Sequence, residues 1–249
     1  MREGVFDWRA KIGVLSPNPN INLTCEWTGF LPDGVTFHEA VMGLTEATAE
    51  KLLDMRNRAV AEAEKLAQGW VDIILFGCTS GSFIGGPGYD ESIIKELEAA
   101  VGIPTTTMST CVLTAFADLG VRKIALIGPY VEEVFDAEVK FFKERGISTL
   151  YLKALGYSNI EDIVRQHETP YMYYRPAKEA YKSAPDIDAI FITCGASPAR
   201  RIINTLELET GKAVISSCSA SLYGVLKQLG IRESIEEFGR LGRMLGATV

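Results

Sequence analysis

Residues 71–79 read Val-Asp-Ile-Ile-Leu-Phe-Gly-Cys-Thr, and residues 187–195 read Ile-Asp-Ala-Ile-Phe-Ile-Thr-Cys-Gly. Each is a nearly continuous apolar run without alternation, as expected of a strand buried on both faces of a parallel sheet. Each ends in a cysteine followed by a small residue. The two cysteines are 194 − 78 = 116 positions apart. Further along, residues 11–18 (KIGVLSPN) parallel 123–130 (KIALIGPY) at 123 − 11 = 112. Residues 102–107 (GIPTTT) parallel 212–217 (KAVISS) at 212 − 102 = 110, and both lead into helices ending in Leu-Gly, at 119–120 and 229–230. Near-constant offsets at several points predict a duplicated α/β unit.

Helical periodicity fills the intervals. Residues 45–67 read as one long amphipathic helix, with Leu52, Leu53, Met55, Val60, Ala63 and Leu66 on its apolar side. Further helices are expected at 91–100, 110–118, 132–143, 173–183, 198–209, 220–228 and 235–245, and weaker strands at 149–154 and 213–216. Strand then helix, repeated, predicts the α/β class: two similar parallel-sheet domains related by a pseudo-twofold axis, with the active site in the cleft between them. The expected division is 1–108 plus 218–249 for the first domain and 109–217 for the second.

The composition narrows the functional classes. Of 249 residues, 47% are apolar and 23% charged, enough for a sizeable core. A net charge of −7 excludes a basic nucleic-acid face, so no nucleic-acid partner is expected. An anion would have to be held by local backbone N–H groups and neutral donors. Five cysteines occur without a CxxC pair or a Cys/His cluster, so no metal site is expected, and their odd number excludes a complete disulfide framework. No leader-like segment or membrane-spanning apolar run is present, and a cytoplasmic location with free thiols is expected.

In open parallel sheets ligands bind beyond the carboxyl ends of the strands. Cys78 and Cys194 both stand at such ends, so a pseudo-twofold would bring them to one cleft from opposite sides. A reactive thiol needs its pKa lowered, for example by a helix N-terminus. The helix expected soon after Cys194 offers this, whereas an eleven-residue loop (79–89) is expected after Cys78. Residues 81–89 (GSFIGGPGY) lack the Lys-Ser/Thr of a phosphate loop and the GxGxxG spacing. They read as a hinged lid or an ordinary surface loop. Tyr130 reads as a packing residue or a donor to substrate, and Asn159 as a cap for the helix starting near Ile160 or a substrate contact.

Taken together, the opening strand running into Pro17–Asn20, the Gly77–Ser82 segment, Gly128-Pro129-Tyr130, Asn159 and Thr193-Cys194-Gly195 resemble the Asp/Glu racemase superfamily. Within it the chain is most similar to the maleate cis-trans isomerase and arylmalonate decarboxylase branch. The resemblance implies a cleft enzyme without metal, flavin or pyridoxal phosphate, acting on a small carboxylate, often as a homodimer. It implies that Cys78 and Cys194 are catalytic and that Asn20, Tyr130 and Asn159 donate hydrogen bonds to substrate carboxylates. Thr79 and Ser80 would add hydroxyl and backbone donors, and Gly195 and Ala196 backbone donors from the other half. Glutamate racemases carry Asn after the first cysteine and Thr-His after the second; here Thr79 and Gly195-Ala196 follow. Arylmalonate decarboxylase lacks the first thiol, which Cys78 supplies here. Maleate isomerases show Pro-Ser-Ser-Asn near the start, where this chain has Pro17-Asn18-Pro19-Asn20. The expected reaction is maleate to fumarate isomerisation through a Cys78 thioether. A racemase or arylmalonate-type decarboxylase of the same superfamily is the alternative, and a non-catalytic small-acid binding protein is the reading from another class.

Overall fold

A computed structural model describes residues 6–19, 23–165 and 170–247. The first half runs β1 (Ala10–Ser16), α1 (Leu23–Trp27), β2 (Val35–Val41), α2 (Ala49–Arg56), α3 (Ala59–Gln68), β3 (Ile73–Phe76), α4 (Thr79–Phe83), α5 (Tyr89–Val101) and β4 (Thr105–Thr107). Helix α6 (Met108–Leu119) then crosses to β5 (Lys123–Gly128), α7 (Glu132–Glu144), β6 (Ser148–Ala154), α8 (Ile160–Arg165), α9 (Tyr171–Ser183), β7 (Ala189–Ile192), α10 (Arg200–Thr210) and β8 (Ala213–Ser216). Helix α11 (Ser217–Gln228), a 3-10 turn at Glu236–Phe238 and α12 (Gly239–Gly246) complete the chain. Among the described residues no helix is long and apolar enough to cross a membrane.

The chain forms two all-parallel four-stranded sheets with the same strand order, β2-β1-β3-β4 and β6-β5-β7-β8. The likeness extends to register: Ile12 lies opposite Ile73 in one sheet, and Ile124 opposite Ala189 in the other. It extends to side chains as well. Asp72 accepts the Lys11 N–H and Asp188 accepts the Lys123 N–H, each at 2.8 Å. An aspartate at the foot of each central strand thus fixes the start of both ladders, as the sequence offsets predict.

Alternation along β5 shows how the second sheet is buried on both sides. Ile124 and Leu126 join the larger core, while Ala125 and Ile127 pack with Tyr173, Ala177, Ile203 and Leu206 from α9 and α10. In the larger core, Phe116 of α6 and Phe142 of α7 close on Phe191 of β7, with ring centroids 5.3–5.7 Å apart. The crossover helices α6 and α11 also pack on one another, tying the halves together.

Four local expectations need correction. β2 is an additional strand at the sheet edge. Residues 45–67 form two helices rather than one, because the bonding tightens to a turn at Asn57 and Arg58, whose N–H groups bond the Asp54 and Met55 carbonyls three residues back, and the Arg58 side chain reaches the Met42 carbonyl and Asp54. The stretch 79–89 is not one loop: α4 begins at Thr79 and α5 at Tyr89. The expected last helix is a 3-10 turn followed by α12, broken at Gly239, whose φ is 62°.

Candidate active site

Both central strands end alike. The Gly77 N–H bonds the Leu15 carbonyl and the Thr193 N–H bonds the Ile127 carbonyl, each at 2.9 Å. One residue later the two halves diverge. Cys78 is extended (φ −133°, ψ 113°) and caps α4, its Sγ accepting the Gly81 N–H at 3.3 Å and lying 3.7 Å from Ser80 Oγ. The helix-start environment expected for Cys194 therefore belongs to Cys78. Gly81 is required by close approach: a Cβ there would meet Met55 Cε at 2.6 Å and Cys78 Sγ at 3.1 Å. All of Thr79–Phe83 is buried, so the first part of the glycine-rich stretch packs into the core and forms no lid.

Cys194 has φ 86°, a left-handed conformation that costs a non-glycine residue about 1–3 kcal/mol. Its Sγ accepts the Ala196 N–H at 3.4 Å, and α10 begins only at Arg200. Surrounding bonds hold the turn. Ser197 Oγ donates to the Thr193 carbonyl at 2.7 Å and pairs with the Tyr173 hydroxyl at 3.0 Å; the Cys218 thiol donates to the Gly195 carbonyl at 3.3 Å.

Cys78 and Cys194 both line one small cavity. From the strand ends it is lined by Cys78, Thr79, Ser80, Tyr130, Cys194, Gly195 and Ala196, and elsewhere by Pro17, Leu44, Ala47, Ile160, Ile163 and Val164. The sequence reading had singled out every residue of the first group. It missed most of the apolar group, which comes from Pro17 after β1, from the loop after β2 and from α8; only Pro17 and Ile160 lie within the motifs noticed. This wall joins the two halves through backbone bonds. The Ala47 N–H meets the Ser158 carbonyl at 2.6 Å, the Ile160 N–H meets the Thr45 carbonyl at 3.1 Å, and Glu46 forms an antiparallel bridge with Asn159.

Asn159 is not among the residues lining the cavity. Its Oδ1 accepts the Glu161 N–H at 2.7 Å and the Asp162 N–H at 3.4 Å, the capping role that its sequence position allowed. Asn20 lies outside the described residues. Its neighbour Asn18 donates to the Leu44 carbonyl at 3.1 Å, fastening the loop that carries the apolar wall.

Burial dominates the electrostatics of the cavity. It pushes the Cys78 thiol up, opposed by the Gly81 N–H and the Ser80 hydroxyl. It pushes Cys194 up to about 12, opposed by the Ala196 N–H and the Tyr130 hydroxyl. Tyr130 itself, 2% exposed, is held well above the ordinary phenol range. The Ser80 hydroxyl eases the Tyr130 phenol down and the phenol does the same for the Cys194 thiol, so Tyr130 bears on both thiol loops. At neutral pH both thiols carry their protons. Two sulfurs on one small cavity, beside hydroxyl and N–H donors, can add to an electrophilic carbon or exchange a proton on opposite sides of a bound acid.

The chain is 26% identical to arylmalonate decarboxylase of Bordetella bronchiseptica over 219 residues, covering 88% of this chain and 90% of that one. It is 23% identical to maleate isomerase of Geobacillus stearothermophilus, covering 93% and 96% respectively. Its fold matches the solved structure of a Nocardia farcinica maleate cis-trans isomerase variant with a covalently bound succinylcysteine intermediate, with a TM-score of 0.86, 19% identity and coverage of 94% and 98%. Residues 12–242 match the family model described as arylmalonate decarboxylase, and the chain belongs to that family.

Proposed function

We propose that this protein is a cofactor-independent isomerase that converts a small cis-unsaturated dicarboxylate, maleate, into its trans isomer fumarate, with Cys78 and Cys194 as catalytic residues. The observation that carries this reading is the shared cavity: thiols from two separate strand ends meet the same small space. The named relatives support it, since maleate isomerases are among them and one related structure holds a succinylcysteine adduct. The cysteine at position 78 also favours a two-thiol reaction over the decarboxylase alternative.

The reaction runs by addition, rotation and elimination. Cys78 first gives its proton to solvent and then, as a thiolate held by the Gly81 N–H, adds to one alkene carbon; the alkene π pair shifts toward the neighbouring carbon and its carboxylate, forming an enediolate. The Cys194 thiol donates its proton to that neighbouring carbon, leaving a saturated thioether whose central C–C bond turns freely. Cys194 thiolate then removes a proton from the same carbon, and the returning electron pair rebuilds the alkene in trans geometry and expels Cys78 thiolate. Donors aimed at the enediolate lower the barrier most. Thr79, Ser80 and Tyr130 supply hydroxyls, and Gly195 and Ala196 supply backbone N–H groups. Asn20 completes the set, with Asn159 contributing its amide nitrogen because its oxygen caps α8.

The proposed division into domains 1–108 plus 218–249 and 109–217 follows the two sheets. A homodimer is proposed from the family resemblance and from Leu150 and Leu152, exposed on edge strand β6. A cytoplasmic location is proposed because all five cysteines are free thiols.

The test is turnover of maleate beside fumarate, aryl-substituted malonates and amino acids, in wild type, Cys78→Ala and Cys194→Ala. The expected result is loss of cis-alkene absorbance with fumarate as product, in wild type alone. Carbon dioxide release from a malonate, or α-proton exchange on an amino acid, without any maleate turnover would overturn it.

A further inference from the structure

Glu138 is a buried carboxyl that the proposed chemistry leaves unused. The core-facing residues of α7 are Val134, Phe135, Glu138, Phe141 and Phe142, a helical stripe with an acid where the pattern calls for hydrocarbon. Glu138 is fully shielded from solvent. Its Oε1 accepts the Thr193 hydroxyl at 2.6 Å, while Oε2 is buried with no hydrogen-bond partner among the described residues. A buried, half-satisfied carboxyl is costly and calls for a reason. Thr193 is itself wedged in place: a Cβ on Gly128 would meet Thr193 Cγ2 at 2.3 Å. The next residue is Cys194, in its left-handed conformation.

We propose that Glu138 is a positioning residue for Cys194: by accepting the Thr193 hydroxyl beneath the cleft, it fixes the peptide that holds Cys194 left-handed and keeps its sulfur on the cavity. The proposal rests on Cys194 being one of the two reactive thiols. Glutamine would make the same hydrogen bond, so an acid at this place adds a charge that arises only on ionisation. Burial pushes the Glu138 carboxyl up to about 8, leaving it neutral at pH 7. The ionisable groups it acts on are Tyr130, between β5 and α7, and Cys194, after β7. Cys78, at the head of α4 where α4 packs on α7, bears on the same two. Above pH 8 the Glu138 charge opposes ionisation of the Cys194 thiol.

The test measures alkylation of each thiol by iodoacetamide in the substrate-free protein, followed peptide by peptide by mass spectrometry between about pH 6.5 and 9.5, a range spanning the ordinary thiol pKa. Variants are Glu138→Leu, Glu138→Gln and Thr193→Val. Losing the Thr193–Glu138 bond in the Leu and Val variants is expected to speed Cys194 alkylation about tenfold, with Cys78 within about twofold of wild type. Glu138→Gln is expected to follow wild type at pH 7 and to exceed it at Cys194 by about threefold above pH 8, where wild type alone gains a charge. The proposal fails if Cys194 stays within about twofold of wild type in every variant at every pH, or if Cys78 and Cys194 accelerate together, which marks general loosening. If the Leu and Val variants do not fold, the Gln variant decides alone through its alkaline limb. None of these readouts needs a substrate, so absence of maleate turnover in wild type would strike the proposed function and leave this test intact.

Discussion

Thr79 and Ser217, 138 residues apart in sequence, share a buried hydrogen bond in which the Thr79 hydroxyl donates at 2.9 Å. Thr79 follows the first thiol, and Ser217 opens α11. The next residue, Cys218, reaches the Gly195 carbonyl beside the second thiol. The first turn of α11 therefore grips both cysteine loops at once.

Removing that grip has a measurable cost. Ser217→Ala leaves the Thr79 hydroxyl the Met108 sulfur, at 3.6 Å, as its side-chain partner among the described residues. A buried donor so weakened costs about 1–2 kcal/mol. The melting temperature is expected to fall by roughly 2–8 °C for a chain of this length. Adding Thr79→Val should cost less than the two single losses summed, since both remove one bond; full additivity in thermal denaturation would show that the bond carries no energy.

The two thiols should fail in different ways. Cys78→Ala is expected to lower turnover roughly 10³-fold or more, because no nucleophile remains, while substrate still binds. Cys194→Ala keeps the nucleophile and loses the proton partner; water slowly supplies the proton that completes the thioether, and with no base left to take it back the variant should accumulate that adduct on Cys78. Intact-protein mass spectrometry distinguishes them: a gain of one substrate mass is expected in the Cys194 variant and none in the Cys78 variant. An adduct on neither, or on Cys194, would sink the division of labour.

Stability should fall as pH rises from about 4.5 to 8. Glu138 is raised from the ordinary 4.5 to about 8 by burial, and Glu26 from 4.5 to about 7, again mainly by burial. Across this window the unfolded chain has lost both protons and the native chain still holds them. The native state thus binds more protons, and its stability drops with increasing pH. The loss is on the order of a few kcal/mol by linkage. Glu138→Gln and Glu26→Gln should each flatten the slope in chemical denaturation series. A profile that rises through this window would refute the assignment.

The apolar wall should govern which acids are accepted. Ile163, 1% exposed, lines the cavity from α8. Ile163→Ala is expected to cost about 2–4 kcal/mol of stability. It should also raise the kcat/KM ratio of methyl-substituted over unsubstituted maleate by about tenfold, the usual value of one buried methyl group. An unchanged ratio would mean that the substrate does not reach this wall.

The legible part of this molecule was its hydrophobic interior. β1, β3, β5 and β7 are buried on both faces, so each reads as an unbroken apolar run, and each thiol directly follows such a run. β2 escaped notice because it is an edge strand, with exposed His38 and Glu39 interrupting the pattern. α4 was hidden by its own composition: Gly81 and Ser82 are poor helix formers, Gly81 placed where Met55 and Cys78 leave no room for a side chain and Ser82 where its hydroxyl bonds the Thr79 carbonyl and Ser109. The wall residues Leu44, Ala47 and Ile163 carry no chemistry of their own. Only the pairing of the loop after β2 with the segment before α8 brings them to the cavity, and such pairing across more than a hundred residues leaves no local trace.

That pairing also bears on opening of the cleft. The two main-chain hydrogen bonds that pair 45–47 with 158–160 act as a zip fastening the lobes along one side. Spreading the lobes there would sacrifice each link, at about 1 kcal/mol apiece. Any widening of the cleft on that flank must therefore break this pairing first.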